Sequence, residues 1–254
     1  MLLCVDISNV AVSLGLFAGE KLRAQWRLQA QKGRPADEYA LQLHALLAQA
    51  GLESAPQAAI LASVAPALTP VWTEVCRRAV GQPPLIVGVG VKTGVRIRRE
   101  APRQLGADRV ANAAAAKALF GGPVCVVDCG TTLTFDALDA EGDYLGHAIA
   151  PGLHMAADAL GAGAAQLAAI PLARPERAIG RNTTESMQSG LLFGFAGLVE
   201  GMVARFRQEL GEGMRVIATG EDAALIAAET PVIERVEPWL TLIGLRLIWE
   251  MNRG

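Results

Sequence analysis

The sequence predicts an α/β fold built as two similar lobes with a cleft between them. Three observations lead there. An apolar strand running into Asp, a polar turn and a returning strand occurs at Val5-Asp6-Ile7-Ser8-Asn9 and again at Val127-Asp128-Cys129-Gly130-Thr131. The copies lie 122 residues apart, about half of the 254-residue chain, as a duplicated lobe requires. Apolar runs of strand length also alternate with segments of helical period along the chain.

Taken in order, Leu2 to Asp6 and Val12 to Phe17 read as strands around the Ser8-Asn9 turn. Ala18-Gly19-Glu20-Lys21 turns the chain into a third strand, Leu22 to Leu28. Ala36 to Ala50 is helical, with Tyr39, Leu43, Leu46 and Leu47 on one face. Gln57 to Ser63 is a short strand, Pro70 to Val80 a helix, Leu85 to Val89 a strand and Arg109 to Phe120 an alanine-rich helix. The second meander is Val124 to Asp128, Leu133 to Asp136, a turn at Glu141-Gly142-Asp143, and Tyr144 to Ile149. Helices follow at Met155 to Leu160, Glu185 to Glu209 and Asp222 to Ala228, with a strand at Val216 to Ala218 and a closing helix at Leu240 to Met251.

Composition narrows the function classes. Hydrophobic residues make up 52% and charged residues 19%, which fits a well-packed enzyme and not a disordered chain. The net charge of −2 carries no basic surface for nucleic acid. Met1 leads directly into the strand-like Leu2-Leu3-Cys4-Val5, without a charged leader or an apolar run of about 18 residues, so the expectation is a cytoplasmic protein with no membrane segment. Cys4, Cys76, Cys125 and Cys129 form no zinc spacing and read as buried thiols. His44 lies in an amphipathic helix, and His147 and His154 have no neighbouring ligands to complete a metal set.

The chemistry-bearing residues point to phosphoryl transfer onto a small alcohol. A strand ending in Asp before a tight turn can hold a cation while the turn aims backbone N–H groups at phosphate, although Asp6 and Asp128 could equally cap turns. Asp108, after Gly106-Ala107 and at the mouth of a helix, is either an N-terminal cap or the carboxylate that takes the acceptor's proton. Arg109 beside it offers a planar fork for a carboxylate or carbonyl. Arg181-Asn182-Thr183-Thr184-Glu185 serves either as a helix cap or as a polar ligand site, and Thr219-Gly220 ends a strand with a turn.

The order of short motifs resembles the type III pantothenate kinases, a bacterial family of the superfamily that also holds acetate and sugar kinases, heat-shock chaperone ATPases and actin. The resemblance rests on Val5-Asp6 with Asn9, Ser63-Val64-Ala65-Pro66, Lys92-Thr93-Gly94, Gly106 to Arg109, Asp128 to Thr134, Ile149-Ala150-Pro151-Gly152, Ile179 to Thr183, Met187-Gln188-Ser189-Gly190, Thr219-Gly220, and Leu242 with Gly244-Leu245. It implies two ribonuclease H-like lobes, the actin-like ATPase duplication, over residues 1–120 and 121–254. It implies an ATP-dependent kinase that phosphorylates the primary 4′ hydroxyl of pantothenate, giving 4′-phosphopantothenate for coenzyme A synthesis.

By the same resemblance, Asp108 is the general base, and Gly106, Ala107, Asp108, Arg109 and Thr183 contact pantothenate. Asp6, Ile7, Ser8, Asn9, Val10, Ala11, Val12 and Ser13 cradle the ATP phosphates, with Thr131 touching them from the second lobe. Asp128 binds the monovalent cation, potassium or ammonium, and Mg²⁺ accompanies ATP. The family is homodimeric, with sites at the subunit interface.

The chain departs from the family's pattern in several places. Ser8 and Val10 replace Gly and Thr of an Asp-x-Gly-Asn-Thr loop, and Glu221 replaces the last Gly of Thr-Gly-Gly. Ser8 adds a Cβ where glycine takes φ > 0 at little cost. A carboxylate roughly 4 to 6 Å from a phosphate could cost a few kcal/mol of ATP binding. Arg99 stands where a Tyr lines the pantothenate pocket, and His147 replaces a Gly. These departures keep two alternatives open: a catalytically degenerate paralogue acting as a binding or regulatory protein, and a kinase for another small alcohol that Arg99 would recognise.

Overall fold

The computed structural model describes residues 1–51, 56–98, 101, 104–163, 167 and 169–253. Arg99, an expected substrate contact, lies outside these described residues.

The first sheet has the order β3-β2-β1-β4-β5, formed by β1 (Leu2–Ile7), β2 (Ala11–Ala18), β3 (Lys21–Gln29), β4 (Ala58–Ser63) and β5 (Leu85–Ile86). β1, β2 and β3 run as an antiparallel meander, while β4 lies parallel to β1 and β5 parallel to β4. β1 is central, and its run of apolar residues is what a strand covered on both faces requires. β3 is an edge strand and alternates exposed with half-buried residues. One face of this sheet packs on α1 (Ala36–Gln49) and α2 (Thr69–Val80), where Leu3, Val5, Leu14 and Leu61 meet Tyr39, Leu43, Trp72 and Val75. Tyr39 and Trp72 stack with ring centroids 4.9 Å apart.

The second sheet repeats this plan. It comprises β6 (Val124–Cys129), β7 (Thr132–Leu138), β8 (Tyr144–Pro151), β9 (Arg215–Thr219) and β10 (Arg235–Val236), in the order β10-β9-β6-β7-β8. Again three strands form an antiparallel meander, and two more add in parallel. β1 and β6 share one burial pattern, with Asp6 and Asp128 each the penultimate residue. One face carries α5 (Thr183–Leu210), whose Leu191, Phe195, Val199 and Val203 pack with Cys125, Val127 and Cys129. α5 is long and apolar enough to cross a membrane by composition, but those apolar residues are spent on the core of this sheet. α4 (Leu153–Gly163) and the short α6 (Ala223–Ala227) complete the unit.

Clustering of contacts divides the chain into two compact units: Met1–Val95 with Glu100–Ala115 and Leu240–Gly254, and Arg96–Arg99 with Ala116–Trp239. This grouping differs from the expected division at residue 120 chiefly in α7 (Leu240–Asn252), which packs on β1, β2 and β4 of the first unit. The strand expected over Leu85 to Val89 shortens to two residues, and the two-residue β10 had no periodicity to reveal it. α3 (Ala107–Phe120) begins two residues earlier than expected, which brings Asp108 into its first turn. All four cysteines are buried free thiols, as expected, and burial pushes Cys76 up to about 12.

Candidate active site

In the first unit the chemistry gathers around β1 and α3. Asp108 sits in the opening turn of α3, where the helix N-terminus favours a negative charge. Its Oδ1 accepts the backbone N–H of Arg109 at 2.8 Å. Burial raises the Asp108 carboxyl above its ordinary value of 3.8, and the hydrogen bond and charge of Arg109 hold it part of the way back. Gly106 makes the space for it: a Cβ there would collide with Asp108 Oδ1 and come within 3.1 Å of Val64 Cγ1. The Gly106-Ala107-Asp108-Arg109 motif and the Ser63-Val64-Ala65 motif are thus two walls of one carboxylate pocket. A carboxylate that keeps its charge in a poorly solvated place is suited to accept a proton.

Asp6 lies on β1 opposite Ser13 of β2 and Ala62 of β4. By strand alternation it shares a face with Leu2 and Cys4, opposite the face of Leu3 and Val5 that meets α1 and α2. The following turn is closed by Ser8, whose backbone N–H donates to the Ala11 carbonyl at 2.9 Å while its Oγ accepts the Ala11 N–H at 3.0 Å. No non-glycine residue among those described has positive φ, so the expected conformational cost of Ser8 is absent. Its hydroxyl also ties the turn together, and Val10 is left exposed beyond it.

The second unit presents the matching Asp128, opposite Thr134 of β7 and Thr219 of β9. Two glycines leave room around its carboxylate. A Cβ on Gly130 would stand 3.3 Å from Asp128 Oδ1, and one on Gly220 would stand 2.7 Å from it and 2.6 Å from the Cys129 carbonyl. Gly220 also has φ +95, a conformation that L side chains rarely adopt. Gly152 packs against the Gly130 and Thr131 carbonyl oxygens, where no Cβ fits, so the Pro151-Gly152 motif buttresses the turn that carries Thr131. Glu221 is exposed and needs no positive φ, so this departure also carries no backbone strain.

Thr183 is the first residue of α5 and is exposed. Helix capping falls to its neighbours: Asn182 Oδ1 accepts the Glu185 N–H at 2.9 Å, and Glu185 Oε2 accepts the Arg181 N–H at 2.9 Å. The Thr183 hydroxyl takes no part in that reciprocal cap. The Met187-Gln188-Ser189 motif has a structural role, because Gln188 Nε2 donates to the Pro171 carbonyl and Ser189 Oγ to the Ala178 carbonyl.

Sequence reasoning left three polar groups without a role. His154 Nε2 lies 3.3 Å from Oδ1 of the buried Asp222, joining the start of α4 to the turn after Gly220. His147 Nδ1 lies 3.0 Å from the hydroxyl of buried Tyr144, which donates to Asp136 Oδ1, so His147 belongs to a polar cluster of β7 and β8. Asn112 is wholly buried in α3 and accepts a hydrogen bond from Thr241.

A family model described as type III pantothenate kinase matches residues 2–205. The type III pantothenate kinase of Moorella thermoacetica is 49% identical over 253 residues, covering 99% of this chain and 100% of that protein. That of Roseiflexus castenholzii is 47% identical over 254 residues, with full coverage of both. Among solved structures, the activator of 2-hydroxyisocaproyl-CoA dehydratase from Clostridium difficile, with bound ADPNP, aligns at TM-score 0.55 and 13% identity over 98% of this chain and 94% of that one. The polyphosphate/ATP-glucomannokinase from an Arthrobacter aligns at TM-score 0.51 and 14% identity over 99% of both chains. These two structures support the duplicated two-lobed α/β fold and nothing finer.

Proposed function

The chain belongs to the type III pantothenate kinase family, and we propose how its own residues carry out that reaction. It is an ATP-dependent pantothenate kinase that makes 4′-phosphopantothenate, the first step towards coenzyme A. The observation that carries the assignment of roles is the half-buried Asp108, held ionisable at a helix N-terminus in a pocket that Gly106 keeps open.

In this reading Asp108 takes the proton from the 4′ hydroxyl as that oxygen attacks the γ-phosphorus of ATP. The bond from the γ-phosphorus to the β,γ-bridging oxygen breaks, and ADP leaves with the electron pair. Arg109 grips the acceptor through its guanidinium, with Arg99, Gly106, Ala107 and Thr183 as the remaining pantothenate contacts. Residues 6–13 and Thr131 hold the phosphates. Mg²⁺ bound with ATP offsets charge on the phosphates. Nothing in the fold or the comparisons favours a catalytically degenerate relative, since the altered positions Ser8 and Glu221 sit without backbone strain.

Asp128 is the proposed ligand of a monovalent cation. Support comes from its place in the duplicated frame and from the absent Cβ atoms of Gly130 and Gly220 beside its carboxylate. Coupled ADP release with pantothenate, ATP and Mg²⁺ tests both the reaction and the cation. Turnover should rise severalfold when potassium or ammonium replaces sodium, and Asp128→Ala should abolish that preference. Equal rates in all three salts would remove the cation from the account.

We also propose a homodimer working in the cytoplasm, with intracellular ATP as the donor. Leu145, Ile149, Met155 and Ile179 of the second unit are exposed, which a second copy would cover. Sedimentation should give twice the 26.6 kDa chain mass. A fully active monomer would refute this part.

A further inference from the structure

We infer that α7 is a positioning element for phosphoryl transfer, with Thr241 and Gly244 setting where Asp108 stands relative to the Asp6 hairpin. The inference rests on Asp108 being the base. α7 touches both structures that must be held in register. On one side it meets α3 one turn beyond Asp108. A Cβ on Gly244 would stand 2.5 Å from the Ala111 carbonyl carbon and nearer still to its oxygen, so glycine alone allows this approach. The neighbouring Thr241, itself half-buried, donates its hydroxyl to Oδ1 of the wholly buried Asn112 at 2.7 Å.

On the other side α7 packs on β1 and β2, the strands of the phosphate hairpin. Leu242 Cδ1 lies 2.9 Å from where a Cβ on Gly15 would be, and Gly15 pairs with Cys4 across β1 and β2. Two strands, one helix and two missing Cβ atoms therefore fix one distance. Glycine is a poor residue for a helix interior, so its place in α7 calls for a packing reason of this kind. The obstacle at Gly244 is backbone, which cannot rotate aside as a side chain does. The face of β1 that bears Cys4 also bears Asp6, so α7 stands on the catalytic side of the sheet. Displacement of a reacting group by about 1 Å can cost about 100-fold in rate.

The test is steady-state ADP release by the full chain carrying Thr241→Val, Thr241→Ser or Gly244→Ala, with melting temperatures measured alongside. Thr241→Val should lower kcat about tenfold, with KM for pantothenate and ATP within about twofold of wild type. Thr241→Ser keeps the hydroxyl and should restore the rate. Gly244→Ala should lower kcat about 100-fold. Leu43→Ala destabilises the opposite face of the sheet, where α1 packs, and should leave kcat unchanged below its melting temperature. If Leu43→Ala slows turnover as much as Thr241→Val does, the effect is general and the inference is overturned. It is equally overturned if Asp108→Asn abolishes turnover while Thr241→Val and Gly244→Ala keep wild-type kcat. Full activity in Asp108→Asn would instead sink the base assignment on which the inference stands.

Discussion

Asp108→Asn should lower kcat by roughly 10²- to 10⁴-fold, the range expected when a positioned general base is removed. The amide occupies nearly the same volume and can still accept the Arg109 N–H through Oδ1, so the pocket beside Gly106 should survive. KM for pantothenate should therefore change far less than kcat. Stability should move the other way. Burial raises the Asp108 carboxyl above its ordinary 3.8, which means folding favours the protonated form. The stability this group contributes is fully present below 3.8 and is lost as pH rises through the raised folded value. At neutral pH the carboxyl thus costs stability that Asn restores. The variant should melt no lower than wild type at pH 7, and any advantage should vanish below about pH 3.8. In the wild type, kcat/KM should rise with pH through a limb lying above the ordinary carboxylate range. Wild-type turnover in the variant, or an acid limb at the unshifted value, would contradict the role given to this residue.

Gly220→Ala should be strongly damaging to the second unit. At φ +95 an alanine is strained, and its Cβ would press within 2.6 Å of the Cys129 carbonyl and 2.7 Å of Asp128 Oδ1. Relief requires the turn after β9 and the end of β6 that carries Asp128 to move apart. The combined cost of strain and overpacking is about 3 kcal/mol or more. For a chain of this length that corresponds to a melting temperature roughly 6 to 12 °C lower. KM for ATP should rise and kcat should fall, both measured by coupled ADP release. A variant with wild-type melting temperature and ATP affinity would show that the turn has freedom the coordinates do not imply.

Much of the fold and site was legible along the chain, because the signals involved are local. The duplicated strand–Asp–turn pattern announced two equivalent sheets, and β1 and β6 do share a place in the sheet order and a burial pattern. Helix ends were read less well, since α3 begins at Ala107 and α5 at Thr183 where polar first turns hid the start. β10 was invisible because two residues carry no period. The departures at Ser8 and Glu221 looked costly as residue types. The backbone removes the conformational cost at Ser8, which has no positive φ, while the cost expected of Glu221 is one of charge and not of backbone.

The sequence by itself determined the class of chemistry, since side-chain type and short spacing decide which groups can hold a cation, take a proton or bend beside phosphate. Asp6, Asp108, Asp128 and Thr131 were singled out as candidates that way. Only the tertiary structure decided how those groups are held. Gly106 makes room for Asp108, Gly152 braces Thr131, and α7 returns 129 residues along the chain to place Thr241 on Asn112. Contacts of that kind depend on a missing Cβ meeting a backbone that is distant in sequence, and no local pattern of polarity records where a folded chain comes close to itself.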